Sequence, residues 1–301
     1  MFEFFANIFG YLLGALYNLI NNYGFAILLF TVIIKIAMLP ISIKQQKSLK
    51  KSAYIQDEIK KIQFKYKNDP EKMNQEIMRF YKEKKASPFS GCLSTIIQFV
   101  LLFSIFYLVR CPLTYMEKIP SENIENYKNQ LTESGIELSK AYPEIDLIRE
   151  TSTLQEKNPD DSEVNKTSIN MEFIGLDLSK IPQQNLSDYT VYVIPILYII
   201  SSFISIRLTT AMQEKNKKGN NDKNLLDITE NKEEKELVEK EEKEIDTMAQ
   251  TNKMMSWMMP ILSISIAFIA PLGLALYWLI NNILMILERV VLDKFLKTEE
   301  D

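Results

Sequence analysis

The sequence predicts an all-α membrane protein: a five-transmembrane-helix bundle with a cytoplasm-open hydrophilic groove, an N-terminal interfacial helix and a cytoplasmic helical hairpin. Three observations predict it. Apolar residues collect in blocks of ~16–21, close to the ~20 a helix needs to cross ~30 Å of hydrocarbon. The charges collect in the loops between those blocks. One block also carries a lysine near its middle, Lys35. In lipid every backbone polar group must be bonded internally, so the blocks should be helices. Overall composition decides little, because 47% hydrophobic, 25% charged and a net charge of −4 would also fit a soluble chain.

Residues 2–20 come first. Their polar and small residues are Glu3, Asn7, Gly10, Gly14 and Asn18, at steps of 4, 3, 4 and 4, which trace one helix face. A helix with one polar stripe lies in the membrane interface; the alternative is an additional span. The segment lacks the basic leader and small-residue cleavage site of a signal peptide. Residues 23–43 are the first span, with Lys35 and Pro40 inside it. Residues 44–88 form the cytoplasmic hairpin, and 44–85 carry 13 Lys/Arg against 6 Asp/Glu. Ile55, Ile59, Ile62 and Tyr66 recur at helical spacing, as do Met73, Ile77 and Phe80. Between these stripes Asp69 suits an N-cap, Pro70 the first helical position and Glu71 the first-turn dipole. The basic surface of the hairpin has two compatible readings. One is positive-inside topology alone; the other is a contact surface for a ribosome, a nascent chain or anionic lipid.

Residues 92–110 form the second span. Residues 111–190 hold 7 Lys/Arg and 15 Asp/Glu and read as an extracellular loop or small subdomain. The third span is 191–207. A charged cytoplasmic linker covers 208–253, of which 213–253 carry 9 Lys and 12 Asp/Glu; that composition favours disorder or a frayed helix. Spans four and five are 254–270 and 272–292, joined by Pro271, and 293–301 is a cytoplasmic tail. The Lys/Arg bias of the short loops places 44–85 inside and 111–190 outside. Five spans then put the N-terminus outside and the C-terminus in the cytoplasm.

Zero His and two Cys exclude a zinc finger, a His-ligated metal site and any His-containing catalytic triad. Cys92 and Cys111 flank one apolar block. On a helix they stand ~28 Å apart, whereas a disulfide needs Cα atoms within ~7 Å. No GxGxxG or Walker A stretch occurs, and the net acidity argues against nucleic-acid binding. No catalytic residue, metal or cofactor is therefore expected.

Lys35 carries the most information. It lies ~18 Å down the helix from Tyr23 and ~13.5 Å from Lys44. A lysine at that depth costs ~2.5–3.5 kcal/mol on the milder insertion scale. It either snorkels or pairs structurally, or it faces an aqueous cavity. Thr31 lies one turn away on the same face. Gln98 is ~9 Å deep in span two. Ser201, Ser202 and Ser205 occupy span three, and Asn281 and Asn282 span five. Each alone reads as ordinary helix–helix glue. Together they outline a hydrophilic groove open to the cytoplasm. No acidic residue lies deep in any block, and Glu288, near the inner end of span five, is only a rough candidate partner; Lys35 is therefore expected to lack a buried carboxylate. A polar segment entering the groove would cross half the hydrocarbon. The positive charge would draw in its acidic residues, and apolar segments could leave sideways into lipid.

Four stretches carry a family resemblance: GFAILLFTVIIKIAMLPISIKQQK from Gly24, EKMNQEIMRFYKEKKASPFSGCLSTIIQF from Glu71, FIGLDLSK from Phe173 and PLGLALYWLINNILMILE from Pro271. In this order they resemble the YidC/Oxa/Alb family of membrane protein insertases, in its shorter Gram-positive form. The resemblance implies a five-helix core around a cytoplasm-facing groove. The groove arginine of the family corresponds to Lys35, which keeps the charge and loses the bidentate fork. Thr31 and Gln98 match its groove threonine and glutamine, and Trp278, beside Tyr277, matches its aromatic. The chain departs from the family pattern at Phe89, Ser90 and Val100, in its acidic tail and in the long 111–190 insertion.

The resemblance implies an insertase and chaperone of integral membrane proteins in the bacterial cell membrane, working alone or with the Sec translocon. Its partners would be nascent membrane proteins, the lipid bilayer, the Sec translocon and the ribosome, with no nucleic acid bound directly. Two other readings stand beside it. A small-solute or ion transporter would use Lys35 as substrate counter-ion, but no inverted repeat or Gly-interrupted helix pair supports it. An assembly scaffold would hold spans without inserting them and would tolerate neutralisation of Lys35.

Overall fold

The computed structural model describes residues 2–66, 69–84, 90–225 and 264–298. Helices α1 (Phe2–Ile20) and α2 (Tyr23–Lys65) are followed by α3 (Pro70–Glu83) and α4 (Ser90–Arg110). Four short helices come next: α5 (Pro112–Tyr115), α6 (Ser121–Glu133), α7 (Pro143–Arg149) and α8 (Thr151–Lys157). A two-stranded antiparallel hairpin, β1 (Glu172–Phe173) and β2 (Leu176–Asp177), leads to α9 (Val193–Leu225) and α10 (Leu272–Thr298). Four helical segments are long and apolar enough to cross a membrane: Phe2–Ile20, Tyr23–Lys44, Tyr189–Met212 and Leu272–Leu292. The described apolar part of the second expected span is shorter, Phe99–Arg110. Of the fourth expected span, 264–269 is helical, and 254–263 lies outside the described residues, as does 226–253 of the linker.

Contacts divide the chain into two units. One comprises Met1–Ala37, Gln98–Phe203 and Ile261–Asp301; the other comprises Met38–Ile97 and Ile204–Pro260. In the first unit a single apolar core joins Leu13 of α1, Ile27 and Phe30 of α2, and Leu108 of α4 to Leu113, Tyr127 and Leu147. The 111–190 stretch is thus a helical subdomain with its own packed side chains. Periodicity showed little of this, because α5, α7 and α8 are only 4 to 7 residues long; α6 alone carries a stripe, Ile124, Tyr127 and Leu131.

The α1 stripe holds a correction. Glu3, Asn7 and Asn18 are exposed, but Gly10 and Gly14 are buried with Ala6, Leu13 and Tyr17. A Cβ on Gly10 would lie 1.8 Å from the Tyr115 carbonyl oxygen, and one on Gly14 3.0 Å from that of Met116. These glycines mark a close helix approach, so the stripe is partly a packing face. Lys118 pins the contact. Its ammonium donates to the backbone carbonyl and Oδ1 of Asn7 at 3.2 and 2.9 Å and sits 4.0 Å from the Tyr11 ring centroid.

Residues 170–180 act as a clip. The Tyr23 N–H donates to the Asn170 carbonyl and the Asn22 amide to the Glu172 carbonyl, at 3.0 and 2.6 Å. The N–H groups of Leu272 and Gly273 donate to the carbonyls of Lys180 and Leu178, at 2.9 and 3.0 Å. The α1–α2 turn and the N-terminus of α10 are thereby tied to one hairpin. Its tip, Ile174-Gly175, has positive φ at both residues (52° and 75°), as a tight two-residue turn requires.

Acidic side chains are buried inside the subdomain. Glu144 accepts from the backbone N–H and the hydroxyl of Thr114, at 3.0 and 2.5 Å. Asp146 accepts from the Ser139 N–H at 2.6 Å. Burial raises the pKa of both carboxyls, and of Glu117, above the ordinary range. Burial, then the Glu144 charge, pushes the Cys111 thiol up to about 12. An acid with a raised folded pKa binds more protons folded than unfolded, so its contribution is complete below the unfolded pKa and is lost as pH rises through the folded one. Asp188, held down to about 2 by Lys180, has the opposite sign, and its contribution is lost only in stronger acid. Lowering the pH from neutral towards the ordinary carboxylate range is therefore expected to slow amide exchange across 112–149, after correction for intrinsic rates. Glu144→Gln should remove part of that response. Faster corrected exchange in acid would contradict the assignment.

In the second unit, Asp69 caps α3: its Oδ1 accepts from the Lys72 N–H at 3.1 Å, with Pro70 at the first helical position. Ile55 and Ile59 are buried, while Met73, Ile77 and Phe80 are half-buried and α3 has no fully buried residue. The first expected span and the first hairpin arm form one unbroken helix, α2, that runs through Pro40. Proline removes a single ladder donor, here the partner of the Ile36 carbonyl.

Candidate functional site

Lys35 sits on α2 in the first unit, and its ammonium lies 3.3 Å from Glu288 Oε2 on α10. The side chains are 22% and 13% exposed. This corrects the expectation that Lys35 has no buried carboxylate partner. Reading depth alone put Glu288 at the inner end of its span, but two long flexible side chains bridge a difference in level that helix rise exaggerates. Glu288 falls two helical turns after Asn281, on the same helix face. That face periodicity was the signal available in the sequence. The second oxygen, Oε1, is buried without a hydrogen-bond partner.

The other expected residues fall into distinct settings. Thr31 is buried, and its hydroxyl donates to the Ile27 carbonyl of its own helix at 2.6 Å. Asn282 is buried between α10 and α9, its amide donating to the hydroxyls of Ser201 and Ser202 at 3.0 and 3.2 Å. The Ser201 hydroxyl itself donates to the Tyr198 carbonyl at 2.8 Å. The Trp278 ring packs on Tyr198, with centroids 6.0 Å apart, and Trp278 and Tyr277 are both buried. Asn281 is half-buried. Ser205 is buried but belongs to the second unit. Gln98 lies on α4, and its side chain is outside the described residues.

The geometry therefore brings together two pairs of elements. Lys35 and Glu288 join α2 to α10 by charge; Asn282, Ser201 and Ser202 join α10 to α9 by a neutral network. The second is a satisfied buried polar cluster, which rigidifies the contact. The first keeps a partly buried cation on a carboxylate with one oxygen left over. Among the described residues no cluster of metal-ligating side chains occurs.

Over residues 15–300 the sequence matches the family described as 60Kd inner membrane protein. The chain belongs to that family. It is the family of the YidC/Oxa/Alb insertases. Three curated relatives, each named membrane protein insertase YidC, align with about a third of the chain. The one from Caldanaerobacter subterraneus subsp. tengcongensis is 41% identical over 101 residues, 34% of this chain and 49% of that protein. The Clostridium tetani relative is 42% identical over 106 residues, 35% of this chain and 48% of that protein. The Granulibacter bethesdensis relative is 40% identical over 108 residues, 36% of this chain and 19% of that protein. The chain thus spans about half or less of the length of the YidC proteins it matches. Family membership and four span-length helices make it a multi-pass membrane protein.

Proposed function

We propose that this chain is a membrane protein insertase that recruits polar or acidic client segments to an intramembrane groove centred on Lys35 and releases apolar spans laterally into lipid. The observation that carries the proposal is the placement of Lys35: a cation on a span-length helix, partly exposed, within a stretch shared with the insertase family. A cation there lowers the barrier for an acidic segment, which would otherwise enter hydrocarbon uncompensated. No covalent chemistry and no cofactor are needed. Thr31, Gln98, Ser201, Ser205, Tyr277, Trp278, Asn281 and Asn282 are assigned to the groove and its walls. The Lys/Arg-rich 44–85 hairpin and the C-terminus are assigned to the cytoplasm, and the N-terminus and the 111–190 subdomain to the outside. The clients are nascent membrane proteins, delivered by the ribosome with or without the Sec translocon.

The test uses purified protein in liposomes. A small single-span client with a short acidic outer tail is synthesised in their presence, and protease protection of the tail is scored. Protection well above empty vesicles is expected with the wild type, reduced by Lys35→Ala and reduced most by Lys35→Glu. Wild-type protection equal to that of empty vesicles would sink autonomous insertion. Equal protection in all variants would remove Lys35 from the mechanism.

A further inference from the structure

The Lys35–Glu288 pair has a consequence for client choice. The Lys35 ammonium has three donors, and among the described residues Glu288 is its one ion-pair partner. Glu288 is held on one oxygen only, with Oε1 buried and unpartnered. Such a carboxylate is an incompletely satisfied occupant, since each buried unpaired polar atom carries a desolvation cost. An ammonium is also a compact charge without a planar fork, so it exchanges one carboxylate for another without losing a bidentate geometry.

We propose that Glu288 is a built-in competitor for Lys35, which a client carboxylate must displace, so that this residue sets how acidic a client segment must be. The inference rests on the insertase reading of the Lys35 site. It makes Glu288 a specificity-determining residue. Neutral segments leave the pair closed, and acidic segments exchange with it. A closed pair reduces apparent client affinity by the fraction of time Lys35 is occupied. Freeing Lys35 therefore raises affinity for acidic segments selectively.

The experiment uses full-length protein in lipid nanodiscs and two synthetic peptides, an apolar span with an Asp-rich tail and the same span with an Asn-rich tail. Glu288→Gln is expected to tighten binding of the Asp-rich peptide about three- to tenfold, as for a site occupied most of the time, and to leave the Asn-rich peptide unchanged. Glu125→Gln, on the exposed surface of α6, serves as a control and should match the wild type. Carbodiimide treatment gives a second readout that does not depend on a variant. It should join Lys35 to Glu288 by an amide bond seen by mass spectrometry, and excess Asp-rich peptide should suppress that product. If Lys35→Ala abolishes Asp-rich binding while Glu288→Gln leaves it unchanged or weaker, the competitor is disproved and the insertase reading survives. A cross-link that persists at saturating peptide overturns it in the same way. If Lys35→Ala has no effect on binding, the charge-recruitment reading itself fails, and the competitor with it.

Discussion

Replacing Gly10 by leucine is expected to detach α1 from the rest of the first unit. The Cβ alone would sit 1.8 Å from the backbone oxygen of Tyr115. Overpacking costs ~1–3 kcal/mol where side chains can move aside. Here the obstacle is main chain in α5, itself tied to buried Glu144 through Thr114, so the cost should reach ~3 kcal/mol or more. The ~1 kcal/mol that replacing a helical glycine gains in propensity does not offset this. Gly14→Ala is the internal comparison, because its Cβ meets the Met116 oxygen at 3.0 Å, so a shift of a few tenths of an ångström would suffice. Hydrogen exchange should show Gly10→Leu deprotecting α1 and residues 112–119, with α9 unchanged. Protection equal to the wild type would mean that the α1–α5 contact is not the one described.

Lys35→Met should destabilise the protein more than removing both members of its pair. The single change leaves the Glu288 carboxylate, 13% exposed, without its cation. Breaking a fully buried pair from one side costs ~3–5 kcal/mol, so this partly buried pair should cost less than that, whereas replacing both partners by apolar groups is often neutral or stabilising. Lys35→Met with Glu288→Met should thus lie within ~1 kcal/mol of the wild type in denaturant unfolding in micelles. The double variant should still fail to insert an acidic-tailed client, which separates the role of the charge in recruitment from its role in stability. Equal cost for the single and double variants would show that the two side chains are not energetically coupled.

Three of the four span-length helices, those of 23–43, 191–207 and 272–292, were legible because hydrocarbon thickness imposes a length and excludes charge, and both constraints are local in sequence; Phe2–Ile20, read as interfacial, is also long and apolar enough to cross. The α3 cap was legible for the same reason: Asp69, Pro70 and the Lys72 N–H all lie within one turn. Lys35 announced itself by depth alone. Contacts that depend on how helices meet were not legible. Gly10 and Gly14 read as polar spacers, yet they are contact points, since the absence of a Cβ means nothing until a neighbouring backbone is in place. Asn281 and Asn282 are adjacent in sequence, but only Asn282 faces Ser201 and Ser202, because one residue turns a helix by ~100°.

By itself, then, the sequence determined that the chain carries helices apolar and long enough for lipid, that a charge lies within one of them, and which family the chain resembles. Those properties follow from hydropathy, length and short motifs. Tertiary structure alone decided that Glu288 answers Lys35 and that residues 170–180 clip α1, α2 and α10 together. It also decided that the 111–190 subdomain closes on the buried Glu144 carboxylate, thirty residues from Thr114. Each of these joins residues far apart in the chain, where geometry and not composition sets which groups come within hydrogen-bonding distance.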